Sequence, residues 1–152
     1  MIVDTTRFGT IEVDEKCVLR MPRGPYGFEG RREFVLLEHS PESVFRWLQS
    51  VEDPALAFVV MEPSACVTGY EIEITDGDAE TLRLERAEDA MALVVLTISE
   101  GGARVTANLA APIVINAKLS IGMQIVLEDS RYAPDQPILD SRMLPEAERS
   151  AA

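Results

Sequence analysis

NLAAPIVINAKLSIGMQIVLED, residues 108–129, is the most patterned stretch of this chain. Two apolar runs, 113–115 and 123–127, flank a polar centre, and Pro112 opens the first run. The stretch reads as two strands joined by a turn near 118–122. Proline cannot donate to a ladder, so Pro112 belongs at an edge or a bend. The segment holds no His and no Cys, and its one serine, Ser120, has no evident base beside it. A stretch this patterned with no chemistry in it encodes a shape.

The neighbouring segments repeat the theme. Residues 57–61 are apolar at every position and 91–98 nearly so, the mark of strands covered on both faces. Residues 103–109 alternate, with Arg104, Thr106 and Asn108 expected outward. In 70–74, Tyr70, Ile72 and Ile74 alternate with Glu71 and Glu73, which predicts a half-exposed antiparallel strand. Residues 2–8 and 10–13 flank Gly9 as a hairpin. Residues 17–21 are expected to send Cys17, Leu19 and Met21 one way and Val18 and Arg20 the other. A loop with two prolines and two glycines follows at 22–27. Short strands are expected at 34–37 and 45–49. Leu93, Val95, Val105 and Ile125 are expected to fill one interior.

One short helix is predicted from Thr75 to about Leu84, with Ala79 and Leu82 touching the core. Thr75 would cap it, with Asp78 three residues on, and Asp76 and Asp78 suit the positive end of its dipole. From Ala133 on, Pro134, Pro137 and Pro145 suggest a tail. The expectation is one domain over 1–138 and a mobile tail over 139–152. The fold class is all-β, mainly antiparallel: a pseudo-barrel of short strands capped by one or two short helices.

Bulk composition narrows the function. The chain has 152 residues, 47% of them apolar, enough for a sizeable core. No run is long and apolar enough to predict a membrane span, and the first residues do not read as a leader. Cys17 and Cys66 lie far apart among apolar neighbours and are expected to be buried free thiols in a reducing cytoplasm. There are 26 acidic residues against 14 basic, a formal net charge of −12. Such a surface repels phosphate backbones and anionic membranes, so neither nucleic acid nor membrane is expected as a direct partner. A basic protein partner is allowed; so is acidity that serves solubility alone.

No residue pattern supports catalysis or a cofactor. Glu71 and Glu73 would sit about 6–7 Å apart on a strand, a separation found in glycosidases. Catalytic pairs face each other across a cleft, however, and neighbouring outward acids are ordinarily a solvated face. Asp76-Gly77-Asp78 faintly resembles a calcium loop but lacks its later ligands. The lone histidine, His39, has too few companions for zinc and no nucleophile elbow for a triad; it reads as a surface residue. Phe45 and Trp47 share a strand face, as core packing or, if exposed, as an aromatic patch for a protein partner. The candidate partner-binding residues are therefore Glu71, Glu73, Asp76 and Asp78, with Phe45 and Trp47. No metal site is expected.

FRWLQSVEDPALAFVVMEP (45–63), NLAAPIVINAK (108–118) and QIVLEDSRY (124–132), with TRFGTIEV (6–13) and GPYGFE (24–29) in the right order, resemble the FliW family. The likeness spans about 2–138. Two departures are mild: Met21-Pro22 stands where the family often has Phe-Pro, and Pro25-Tyr26-Gly27-Phe28 where it often has Leu-Pro-Gly-Phe. The resemblance implies an antiparallel β pseudo-barrel and a regulatory role. It implies a cytoplasmic partner switch between flagellin and CsrA, the RNA-binding regulator that represses translation of flagellin mRNA. Bound to flagellin, such a factor is occupied; once flagellin is exported, it captures CsrA, away from the RNA surface, and relieves repression. No short contact motif carries over residue by residue. The competing readings are a small barrel-type enzyme, a structural component of the flagellum and a ligand-binding barrel.

Overall fold

The structure, a computed structural model, describes residues 1–38, 41, 43–99, 101, 104–129 and 131–139. The chain opens with an antiparallel hairpin, β1 (Ile2–Thr5) and β2 (Gly9–Glu12). Its turn lies one step before Gly9: the Thr5 hydroxyl oxygen accepts from Phe8 N at 2.7 Å. Then come β3 (Val18–Arg20), β4 (Glu33–Glu38), β5 (Arg46–Ser50) and β6 (Ala57–Met61). A short helix, α1 (Asp76–Thr81), precedes β7 (Ala90–Ser99), β8 (Arg104–Ala107), β9 (Ile113–Asn116), β10 (Ile121–Gln124) and β11 (Gln136–Leu139).

The ten-residue β7 decides the topology. Its first part, from Ala90 to Leu93, pairs with β9; its last, from Leu96 to Ser99, pairs with β8; β6 runs along its other edge. The order β7-β6-β5-β4-β3-β10-β9 therefore returns to β7, and seven of the described strands close into a barrel. All pairings in the ring are antiparallel except β3 with β10, which are joined at Ile121 and Arg20. β8 and β11 extend the sheet beyond the ring from β7.

The barrel lumen is filled. Leu19, Phe34, Leu48, Val60, Leu93, Ile113 and Ile115 form one buried cluster drawn from six of the seven strands. The seventh, β10, supplies Gly122, where a Cβ would lie 3.2 Å from Leu19 and 3.3 Å from Ile115. A side chain there would press on both, and Leu19 or Ile115 would have to give by a few tenths of an ångström.

Two further clusters lie on the outer face, which explains why so many strands read as covered on both sides. The first holds Phe45, Trp47, Val59, Met61, Val94, Leu96 and Val105, packed under Phe8, Val67, Tyr70, Tyr132 and Ile138. The second holds Leu82, Val114, Met123 and Ile125 beneath Ile72, Ile74 and Leu84.

Several expectations change. Residues 70–74 keep their alternation, with Glu71 and Glu73 exposed and Ile72 and Ile74 half-buried, but they are not a strand: the segment lies as a cover on the second outer cluster. Thr106 is buried, because β8 is covered on both faces. Val105 and Ile125 are core residues of the outer clusters, separate from the lumen that holds Leu93 and Val95. Cys17 ends a 3-10 turn and is exposed, while Cys66 is half-buried, so the buried thiol pair is not formed. The segment expected as a loose tail from Ala133 carries β11, which pairs with β8 at Gln136 and Pro137. Residues 140–152 and Ala103 lie outside the described residues. The helix begins where expected: the Thr75 hydroxyl oxygen accepts from Asp78 N at 3.1 Å, and Leu82 just past the helix is fully buried.

Candidate functional site

Two segments on the outside of the barrel wall converge on one groove. The first is 71–75, which leads into α1. Tyr70 and Tyr132 hold it in place, their rings 4.5 Å apart. The Tyr70 hydroxyl donates to Leu109 O at 2.5 Å, and Glu71 N donates to the Tyr132 hydroxyl oxygen at 2.9 Å. Burial pushes the Tyr70 phenol well above its ordinary range, so it stays a donor at any physiological pH. The second segment, 125–129, continues β10 past its last ladder residue. Ile125 N donates to Pro112 O at 2.9 Å and Leu127 N to Ala110 O at 2.8 Å.

The groove between them has a volume of about 460 Å³. The first segment and α1 line it with Glu71, Glu73, Thr75 and Asp78, and the second lines it with Ile125, Val126, Leu127, Glu128 and Asp129. Five carboxylates thus face one guanidinium, that of Arg131. Arg131 is already engaged: its Nε and Nη2 donate to both Asp129 oxygens at 2.7–3.1 Å. Those bonds hold the Asp129 carboxyl below the usual aspartate range and raise the Arg131 guanidinium in turn. Val126 is 59% exposed, second only to Ile2 among the described large apolar side chains.

The structure separates the candidate residues. Glu71, Glu73 and Asp78 are brought together in the groove, whereas Asp76 is exposed in the first turn of α1 and does not line it. Phe45 and Trp47 are 2% and 4% exposed, so no aromatic patch reaches the surface at that strand. Trp47 is closed over by Phe8, at 5.8 Å in an edge-on arrangement, and by the Arg7 guanidinium, 4.1 Å from its ring. His39 lies outside the described residues. Sequence reasoning missed Val126, Glu128 and Asp129. The available signal was the abrupt change from the apolar run to Glu128-Asp129 in the segment that follows β10.

The groove can attract and hold a cation or a basic chain. Among the described residues, no three His, Cys, Asp or Glu side chains are grouped to hold a metal ion, and no helix is long and apolar enough to cross a membrane. Thr75, the only hydroxyl residue among the described residues of the groove, caps α1.

The comparisons agree with the geometry. The profile of the family described as FliW protein matches residues 2–138. The flagellar assembly factor FliW of Syntrophus aciditrophicus (strain SB) is 41% identical over 142 residues, covering 93% of this chain and 90% of that protein. The flagellar assembly factor FliW of Geobacter sulfurreducens is 41% identical over 140 residues, covering 92% of this chain and 87% of that one. A crystal structure of the flagellar assembly factor FliW superposes with a TM-score of 0.83 at 36% identity, covering 96% of this chain and 99% of that chain. With the closed barrel, its outer covers and this agreement along nearly the whole sequence, the chain belongs to the FliW family of flagellar assembly factors.

Proposed function

We propose that this flagellar assembly factor acts in the cytoplasm by binding two proteins in turn, flagellin and a CsrA-type RNA-binding regulator, and that it makes and breaks no bonds. Flagellin occupies the factor until it is exported; the emptied factor then binds CsrA and relieves repression of flagellin mRNA. The observation that carries this reading is the groove lined by five carboxylates and by Ile125, Val126 and Leu127, in a chain of net charge −12. A regulator that holds RNA phosphates must carry positive charge. A strongly acidic factor is steered toward it and adds negative potential near the bound RNA, which favours RNA release without overlap of the two sites. The groove with Glu71, Glu73 and Asp78 is the proposed surface for the basic regulator, and Asp76 adds to the field beside it.

The filled lumen argues against a ligand-binding barrel, since the cluster from Leu19 to Ile115 occupies the space a small molecule would need. An enzyme would need a nucleophile or a poised acid–base pair in a cleft, and the groove offers carboxylates and a capping threonine. Gel filtration of the purified protein with the host's CsrA and flagellin, separately and together, tests the switch. The expected result is a complex with each partner and no ternary species. Absence of both binary complexes would refute it.

A further inference from the structure

We infer that the groove takes its partner as an extended strand, paired edge-on to residues 125–129, in which basic and apolar side chains alternate. This rests on the reading of the groove as a partner surface and adds the geometry of what enters it.

In an antiparallel ladder, successive residues turn their N–H and C=O groups to opposite sides. Ile125 N and Leu127 N are spent on Pro112 O and Ala110 O. The backbone groups of Val126 and Glu128 must therefore point the other way, out of the sheet. At the start of β10 that outward side is in use, where Arg20 N donates to Ser120 O and β3 pairs at Ile121; at Gln124 only the side-chain oxygen is engaged, accepting from Tyr26 N at 2.8 Å. Beyond Gln124 no described residue pairs with that edge. Among the described residues, no group is bonded to the N–H of Val126 or Glu128. Such an edge, flanked by an exposed Val126, is a template for one more strand.

The chain's own nearest candidate does not take the place. Residues 71–75 alternate like a strand and turn Ile72 and Ile74 into the same apolar cluster as Ile125 and Leu127. They stand on the far side of the groove, fastened by the two tyrosines. The groove thus runs between residues 125–129, whose Val126 and Glu128 N–H groups have no described partner, and the acids Glu71, Glu73 and Asp78. An entering strand would turn alternate side chains toward the apolar side chains of the groove, such as Val126, and toward the carboxylates. Apolar residues suit the first set and lysine or arginine the second, because Arg131 bonds Asp129 and only its longer-range field reaches Glu71, so five carboxylates share one guanidinium.

The test uses a short end-blocked peptide alternating lysine and valine, titrated into the full-length protein. Backbone amide exchange is read by NMR. The expected result is saturable binding that slows exchange at Val126 and Glu128, while a peptide alternating glutamate and valine does not bind. N-methylation of the lysine–valine peptide at every second amide keeps its charge and removes its ladder, and is expected to weaken binding about tenfold or more. V126P removes only an outward donor and is expected to weaken the unmodified peptide comparably, with unchanged circular dichroism. Equal binding of the N-methylated peptide, or unchanged exchange at Val126 and Glu128 at saturation, would overturn the strand geometry and leave the partner switch standing. So would failure of the peptide to bind a protein that still binds CsrA. Loss of both CsrA and flagellin complexes with edge protection by the peptide intact would refute the switch and leave the strand geometry.

Discussion

Gly24 has φ +67°, and a Cβ built on it would lie 2.7 Å from the Glu29 Cα and from the Phe28 and Glu29 carbonyl oxygens. The loop 22–27 was legible in the sequence as a turn-rich stretch; its reason, the chain doubling back onto Gly24, was not. G24A is therefore expected to destabilise the protein by about 2 kcal/mol or more, read as a lower denaturant midpoint with unchanged slope. The cysteines show a limit of local reading. Cys17 and Cys66 both have apolar neighbours in sequence, yet Cys17 is exposed because a 3-10 turn, capped by Asp14, precedes β3. Burial pushes the Cys66 thiol up to about 11. Alkylation of the native protein near pH 8 should modify Cys17 first and Cys66 only slowly, and mass spectrometry of the peptides checks the order. At the groove, Arg131 lowers the Asp129 carboxyl, so the pair is fully formed above the ordinary aspartate range and is lost only as pH falls through the depressed value. R131A should return the NMR titration midpoint of Asp129 toward the ordinary range.

The elements show why some strands could be read and others could not. β6 and β7 are nearly continuous apolar runs because each has one face in the lumen and one under an outer cover, and that much was visible in sequence. The same double cover misled the reading of β8, where alternation suggested an outward Thr106. The segment 70–74 carries strand alternation for a different reason: it covers an apolar surface without joining a ladder. Its anchor is α1 and the residue just beyond it. Asn116, itself buried, donates to Leu82 O and Arg83 O and so ties the end of this segment to β9. Leu82 is fully buried in the second outer cluster, so L82A is expected to cost about 3 kcal/mol, measured by chemical denaturation. T75A removes the cap bond alone and should cost about 1 kcal/mol.

At the scale of the molecule, a barrel closed through β7 and filled in its lumen leaves its outer wall for function. The acidity was plain from composition, but its concentration in a groove depends on 71–78 and 125–129, far apart in sequence, meeting outside the barrel. Three of the four candidate acids meet there, and two others, Glu128 and Asp129, join them. The aromatic pair was legible only as two alternatives, and the fold resolved it, since Phe8 and Arg7 from the first hairpin close over Trp47. The central claim is that this groove recognises a basic regulator through its charge. Its most direct test is isothermal titration of CsrA into the native protein and into a variant carrying E71Q, E73Q, D78N and E128Q, at low and high salt. The account predicts binding about tenfold weaker or more in the variant at low salt, with a shallower salt dependence. Equal affinity and equal salt dependence in the two proteins would contradict it.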